Sequence, residues 1–253
     1  MSSRSEDLKG KFLLRVVEEI DSTNEFLLRA PLDDWAFDTA LLALRQSGGR
    51  GRSGRTFVSA PGGLYLSLLF KPSSLHALAL WGAYCVVEMC VEHLGVRGLV
   101  VRWPNDVYWQ NRKLAGILPQ VKFAGAELER AVLGVGLNVA QSPESFPDEL
   151  RSRVVTLREL TGREWGIETL ARLLLTIFET RLGDLNITGR VKSLCEPLLE
   201  GLNEAAQAFA VDEESGVHRP LGRILGLGQR GELILESGVL DNLGPKERLR
   251  LSL

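Results

Sequence analysis

Several things are scarce in this sequence, and each scarcity excludes a class of protein. Cysteine occurs three times (Cys85, Cys90 and Cys195), an odd number with no CxxC pair, and only three histidines are present to join them. That argues against a disulfide framework and against a cysteine–histidine zinc site. Cys85 and Cys90 lie in an apolar helical stretch and read as core residues. No run of 18 apolar residues exists to cross a bilayer, and the polar N-terminus carries no hydrophobic signal core. No internal repeat or low-complexity tract is visible. A reducing cytoplasm is the expected location. Net charge is only −2, so the chain as a whole lacks the footprint of a polyanion binder. Acidic residues are also missing locally: none occurs between Asp38 and Glu88.

What is present is ordinary in bulk and unusual in one place. Apolar content of 45% and charged content of 25% are those of a globular chain. The 253 residues suffice for one large domain, or for a domain plus a small appendage. Within the acid-free stretch, Gln46-Ser-Gly-Gly-Arg-Gly-Arg-Ser-Gly-Arg-Thr56 interleaves four glycines with Arg50, Arg52 and Arg55. Glycine lets backbone N–H groups approach a ligand, and the arginine fork matches carboxylates and phosphates. The loop therefore suits an anionic ligand. A solvated surface loop and an arginine-glycine RNA contact are the alternatives on spacing alone.

Along the chain, Phe12–Val17 reads as a first strand. Ser22 and Glu25 have the spacing of a capping box ahead of Phe26-Leu27-Leu28, so a helix should start there. Ser22, Thr23 and Asn24 are either a plain cap or polar contacts to a small ligand. Thr39–Arg45 and Leu64–Phe70 are apolar runs joined by the glycine-arginine loop, which puts that loop between two strands of a scaffold. Phe57, just past the loop, is core or stacks on a flat ring. Ser74–Leu94 reads as a buried helix with Ser74 as N-cap and Gly95 as C-cap. Leu99–Trp103 is a strand that ends in Trp103-Pro104-Asn105-Asp106, a turn that presents an amide and a carboxylate. Gln110-Asn111-Arg112 reads as a hairpin turn that returns through Lys113–Leu118. Lys113 is edge solvation or a ligand contact. Ala131–Val139 is a buried strand with Gly134 and Gly136. No helix with a third glycine follows it, so a dinucleotide fold fails its context test, and glycine there signals close approach of a ligand or backbone. Ile167–Leu185 and Arg190–Leu199 are amphipathic helices. From about Leu202, short strands at Ala205–Val211, Leu221–Gly226, Glu232–Glu236 and Arg248–Leu253 make a small all-β module.

Three stretches coincide in order: Gly49–Arg55, Arg102-Trp-Pro-Asn-Asp-Val107 with Arg112-Lys-Leu-Ala-Gly-Ile-Leu118, and Gly134-Val-Gly-Leu-Asn138. Together they resemble a biotin–protein ligase over nearly the whole chain. The resemblance implies an α+β fold: a class II aminoacyl-tRNA-synthetase-like, biotin–lipoate ligase catalytic domain at 1–201, with a mixed sheet and flanking helices, and a small Src-homology-3-like β-barrel at 202–253. It implies a ligase that consumes ATP with Mg2+ to make biotinyl-5′-AMP. Biotin then passes to a lysine of a biotin carboxyl carrier protein domain of a carboxylase. Bifunctional members carry an N-terminal DNA-binding domain of about 60 residues. The first strand near Phe12 leaves no room for one here, so no specific nucleic acid and no membrane are expected as partners. Oligomeric state stays open between monomer and homodimer.

The resemblance also implies site residues. Ser22, Thr23, Asn24 and Gln46 match positions that hold the ureido end or tail of biotin, and Gly116 a close-approach glycine of the same site. Arg50, Gly51 and Arg52 match the loop that closes over biotin and the adenylate phosphate. Lys113 matches the lysine at the carboxylate and α-phosphate, and Asp106 a supporting carboxylate, so Lys113, Arg52 and Asp106 are the implied catalytic set. Arg55, Phe57, Asn105 and Asn138 fall on the nucleotide side. Arg102 replaces a frequent lysine, and Gln120 a frequent acid. Other readings are a lipoate or octanoate ligase or transferase, which shares the fold, and a non-catalytic biotin- or nucleotide-binding module.

Overall fold

The structure is a computed structural model that describes residues 4–6, 10–202, 204, 206–212, 214–244 and 247–252. Ala205 and Leu253, at the ends of two expected strands, lie outside them. Strands β1 (Arg4–Glu6), β2 (Leu13–Ile20), β3 (Thr39–Gln46), β4 (Leu64–Phe70), β5 (Leu99–Arg102), β6 (Asp106–Trp109), β7 (Arg112–Ala124) and β8 (Glu127–Leu137) form one sheet. Its order is β1-β2-β3-β4-β8-β7-β6-β5. Only β2 and β3 run parallel, so the sheet is mixed, as the resemblance implied.

The centre of the sheet is covered on both faces, which is why its strands read as unbroken apolar runs. Side chains alternate along a strand. Leu64, Leu66, Leu68 and Phe70 of β4 join Leu133, Val135 and Leu137 of β8 in the main core. Helices α2 (Leu78–Glu88) and α5 (Ile167–Arg181) pack there, with Trp81 stacked between Phe70 and Phe178. The intervening positions Tyr65, Ser67, Gly134 and Gly136 face the other way. Helix α1 (Thr23–Arg29) covers part of that second face, over a smaller core of Leu27, Leu41, Leu69 and Val132. The remainder of that face is an open cleft.

Local chemistry explains most element boundaries. Ser22 accepts from Glu25 N as the N-cap of α1. The expected capping box is only half formed, because the Glu25 carboxylate accepts from Gln120 Nε2 at 3.1 Å instead. Gln110 and Asn111 both take positive φ and close the β6–β7 hairpin, as their sequence indicated. The expected cap at Ser74 is not one. Ser74 Oγ accepts from His76 N in a preceding turn. The chain then passes through Ala77 at φ 56 before α2 begins at Leu78. Gly95 does follow the helix at positive φ, after a π-helical turn, Met89–His93. Helices α3 (Asp148–Arg151) and α4 (Leu157–Thr161) flank a segment that pairs with Lys113 of β7, and α6 (Arg190–Cys195) packs against α2.

The C-terminal part forms two three-stranded antiparallel sheets. One pairs β9 (Gln207–Asp212), β10 (His218–Gly222) and β14 (Glu247–Ser252). The other pairs β11 (Ile224–Leu227), β12 (Leu233–Leu235) and β13 (Gly238–Leu240). Where the sequence reading ran one strand through Leu221–Gly226, the chain turns at Gly222 into two. Trp103 Nε1 donates to Gly231 O at 2.8 Å in a buried contact, fixing this part against the β5–β6 turn. Gly231 has φ of +87 and sits against Ala77 and Leu80, where a side chain would collide.

Candidate active site

The cleft on the second sheet face has a volume of about 560 Å³. Every residue of the implied site lines it: Ser22, Thr23, Asn24 and Gln46; Arg50, Gly51, Arg52, Arg55 and Phe57; Asn105, Asp106, Lys113, Gly116 and Asn138; Gln120, the noted departure, does not. The floor consists of glycines set side by side. Gly134 pairs with Ser67 on one side and Leu118 on the other, and Gly136 with Tyr65 and Gly116. Each glycine lies under a polar or aromatic group. A β-carbon on Gly134 would strike the Asn24 amide, one on Gly136 would come within 2.6 Å of the Phe57 ring, and one on Gly116 within 3.1 Å of Lys113 Nζ. The two glycines in the Ala131–Val139 strand were expected to mark close approach of a ligand or backbone; what approaches them here is the Asn24 amide and the Phe57 ring.

One end of the cleft is a buried hydrogen-bond network. Thr23 N and Oγ1 donate to Gln46 Oε1 at 2.8 and 3.0 Å. Gln46 Nε2 donates to Ser59 Oγ at 2.9 Å. The Ser67 hydroxyl lies 2.7 Å from Thr23 Oγ1 and 2.6 Å from Asn24 Oδ1. Asn24 Nδ2 donates to Leu118 O and Gln120 Oε1. This end offers hydrogen bonds in fixed directions to a flat polar group. Ser67, fully buried, was missed in the sequence. Its signal was there: it is the one hydroxyl-bearing aliphatic position in Leu64-Tyr-Leu-Ser-Leu-Leu-Phe70.

The other end is cationic. Lys113 Nζ lies 2.8 Å from Asp106 Oδ1 and 5.8 Å from the Phe57 ring centre. Lys113 is no edge residue: the 153–155 segment pairs with it, Lys113 N donating to Arg153 O and Val155 N to Lys113 O. The glycine-arginine loop is pinned by an Arg50–Thr56 bridge and a 3-10 turn at Arg52–Gly54. Burial pushes the Arg52 guanidinium below its ordinary range, Asp106 pulls it back up, and Arg55 lowers it again. Arginine remains charged through shifts of this kind. Arg52 Nη2 donates to Asn242 Oδ1 at 2.6 Å and Arg55 Nη2 to Glu247 O at 3.1 Å. The C-terminal strands therefore form a wall of the cleft, which no motif indicated.

Three residues have less freedom than their motifs implied. The Asn105 amide donates to Ile117 O at 2.8 Å, bracing the turn. Asn138 Nδ2 donates to Lys113 O and its Oδ1 accepts from Gln141, so it holds the strand that carries Lys113. Ser22 uses its hydroxyl oxygen as the helix cap. Arg102 grips Glu200 with two nitrogens and lies 3.7 Å over the Tyr108 ring. Its planar fork, which a lysine would not supply, ties β5 to the segment leading into the C-terminal sheets. Among the described residues, no group of three or more His, Cys, Asp or Glu is placed to hold a metal ion. No described helix is long and apolar enough to cross a membrane.

The profile of the Biotin/lipoate A/B protein ligase family matches residues 16–138. The bifunctional ligase/repressor BirA of Escherichia coli is 31% identical over 233 residues, covering 87% of this chain and 68% of that protein. BirA of Bacillus subtilis is 29% identical over 206 residues, and the alignment spans 79% of this chain but only 62% of that protein's length. Among solved structures, the biotin protein ligase of Aquifex aeolicus in complex with biotin and ATP superposes with a TM-score of 0.79 at 30% identity. That superposition covers 97% of this chain and all of the other.

Proposed function

Because the chain belongs to the Biotin/lipoate A/B protein ligase family, we propose that it is a biotin–protein ligase of the biotin–[acetyl-CoA-carboxylase] type, acting on a biotin carboxyl carrier protein domain. The observation that carries this reading is the polarity of one cleft, with a buried hydrogen-bonding floor at one end and arginines with Lys113 at the other. Biotin has the matching shape: a ureido ring that needs fixed donors and acceptors, and a carboxylate at the end of a tail. A dithiolane ring carries no group to hydrogen-bond with this polar end, which disfavours the lipoate alternative.

In the first step a carboxylate oxygen of biotin attacks the α-phosphorus of ATP, and pyrophosphate leaves. Two anions must meet, so fixed positive charge is needed where repulsion peaks. Lys113 serves the carboxylate and α-phosphate, Arg52 and Arg50 close over the product from the loop, and Asp106 holds Lys113 in the cleft by charge. Phe57, Asn105, Asn138 and Arg55 form the nucleotide side. Mg2+ enters as part of the substrate. In the second step the carrier lysine, as free amine, attacks the biotinyl carbonyl; AMP leaves and the amine loses a proton. In this reading residues 1–201 are the catalytic unit and residues 202–253 a β unit that walls the cleft. The test is incubation with biotin, Mg-ATP and a carrier domain, read by mass. One biotin increment on the carrier is the expected result, and an unmodified carrier with folded enzyme refutes it.

A further inference from the structure

Neither Glu25 nor Gln120 lines the cleft. The Gln120 amide stands between them and the site. Its Nε2 donates to Glu25 Oε1 at 3.1 Å, and its Oε1 accepts from Asn24 Nδ2 at 2.7 Å. The second proton of Asn24 Nδ2 goes to Leu118 O at 3.0 Å. With its amide nitrogen saturated by two acceptors, Asn24 turns Oδ1 toward Ser67, 2.6 Å away, over Gly134.

We propose that Glu25 and Gln120 are positioning residues that set the direction of the Asn24 amide, and through it the selectivity of the polar end of the cleft for a ureido ring. This rests on the biotin-ligase reading. A carboxylate can only accept in its ionised form, so Glu25 dictates that Gln120 presents nitrogen to it and oxygen to Asn24. The pair is therefore matched as one acid and one amide. A second acid at 120 would still accept from Asn24, but would set two carboxylates within hydrogen-bond distance of each other. Restoring one amide by changing position 25 removes that conflict.

The experiment uses full-length Q120E, E25Q and the E25Q/Q120E double variant. Biotin affinity is measured by titration calorimetry, and KM for biotin and for ATP by biotin-dependent ATP–pyrophosphate exchange. Q120E should bind biotin more weakly by on the order of 10-fold, with KM for ATP little changed. E25Q should lose less. The double variant should bind more tightly than Q120E alone, although it carries one more change. A merely structural role would make the two losses add and would move both KM values. Q120E with wild-type biotin affinity overturns the proposal, as does a double variant no better than Q120E. If wild-type protein takes no biotin, the ligase reading itself falls, and the relay as a biotin device falls with it.

Discussion

Lys113 Nζ lies 2.8 Å from Asp106 Oδ1, yet that solvent-shielded oxygen receives no aligned hydrogen bond. The pair is held by charge without directional bonding. Gly116, beneath both groups, leaves room for the lysine to turn. A lysine held this way can turn toward an arriving anion without first breaking a directional hydrogen bond.

Replacement of Lys113 by alanine should therefore abolish most of the first step while leaving the fold intact. Loss of one donor to a developing negative charge costs roughly 100- to 1,000-fold. Single-turnover adenylate formation by rapid quench checks this, with thermal unfolding as the control. Wild-type adenylation in K113A would return Lys113 to a structural role.

Arg52 should govern retention of the intermediate. R52G removes the charge that reaches Asn242 and adds a further flexible position to the loop. The variant is expected to make biotinyl-adenylate but release it, labelling exposed lysines of an unrelated protein such as albumin. N242A should shift release the same way by a smaller amount, since it removes only the anchor at 2.6 Å. Adenylate off-rates and bystander labelling by mass test both. Retention equal to wild type in R52G would mean that the loop is not a lid.

Gly136→Ala should separate the two substrates. Its new methyl would lie within 2.6 Å of the Phe57 ring, and overpacking of this kind costs about 1–3 kcal/mol. The ring must move away from the nucleotide side, whereas the Thr23–Gln46 end is untouched. KM for ATP should rise several-fold more than KM for biotin. Equal rises would show that Phe57 is only core.

The three thiols should be silent in the folded protein. Burial pushes Cys90 and Cys195 from 9.0 up to about 12, and Cys85 well above its ordinary value. Since the thiolate is the reactive form, a thiol reagent at pH 8 should label none of them before denaturant is added. The sign of the accompanying stability change follows from linkage. Below about 9 the thiols are neutral in both states. From there to about 12 only the unfolded chain ionises, so this contribution to stability is lost as pH rises through that window. Rapid labelling of the native protein would contradict the buried packing of α2 and α6.

Some of this architecture was written locally in the chain. The Ser22 cap, the Gln110-Asn111 turn and the apolar run Leu64–Phe70 depend on neighbours within a few residues, and the composition of the glycine-arginine loop suits an anion. What the sequence alone left open was which polar groups remain free for a ligand. Asn105, Asn138 and Glu25 carry the right chemistry, but their partners are Ile117, Lys113 and Gln120, brought close only by the order of strands in the sheet. The wall that meets Arg52 lies 190 residues away. No local propensity encodes such a contact. It exists because Trp103 and Gly231 dock the C-terminal sheets against the β5–β6 turn, and burial there decides where a distant side chain ends.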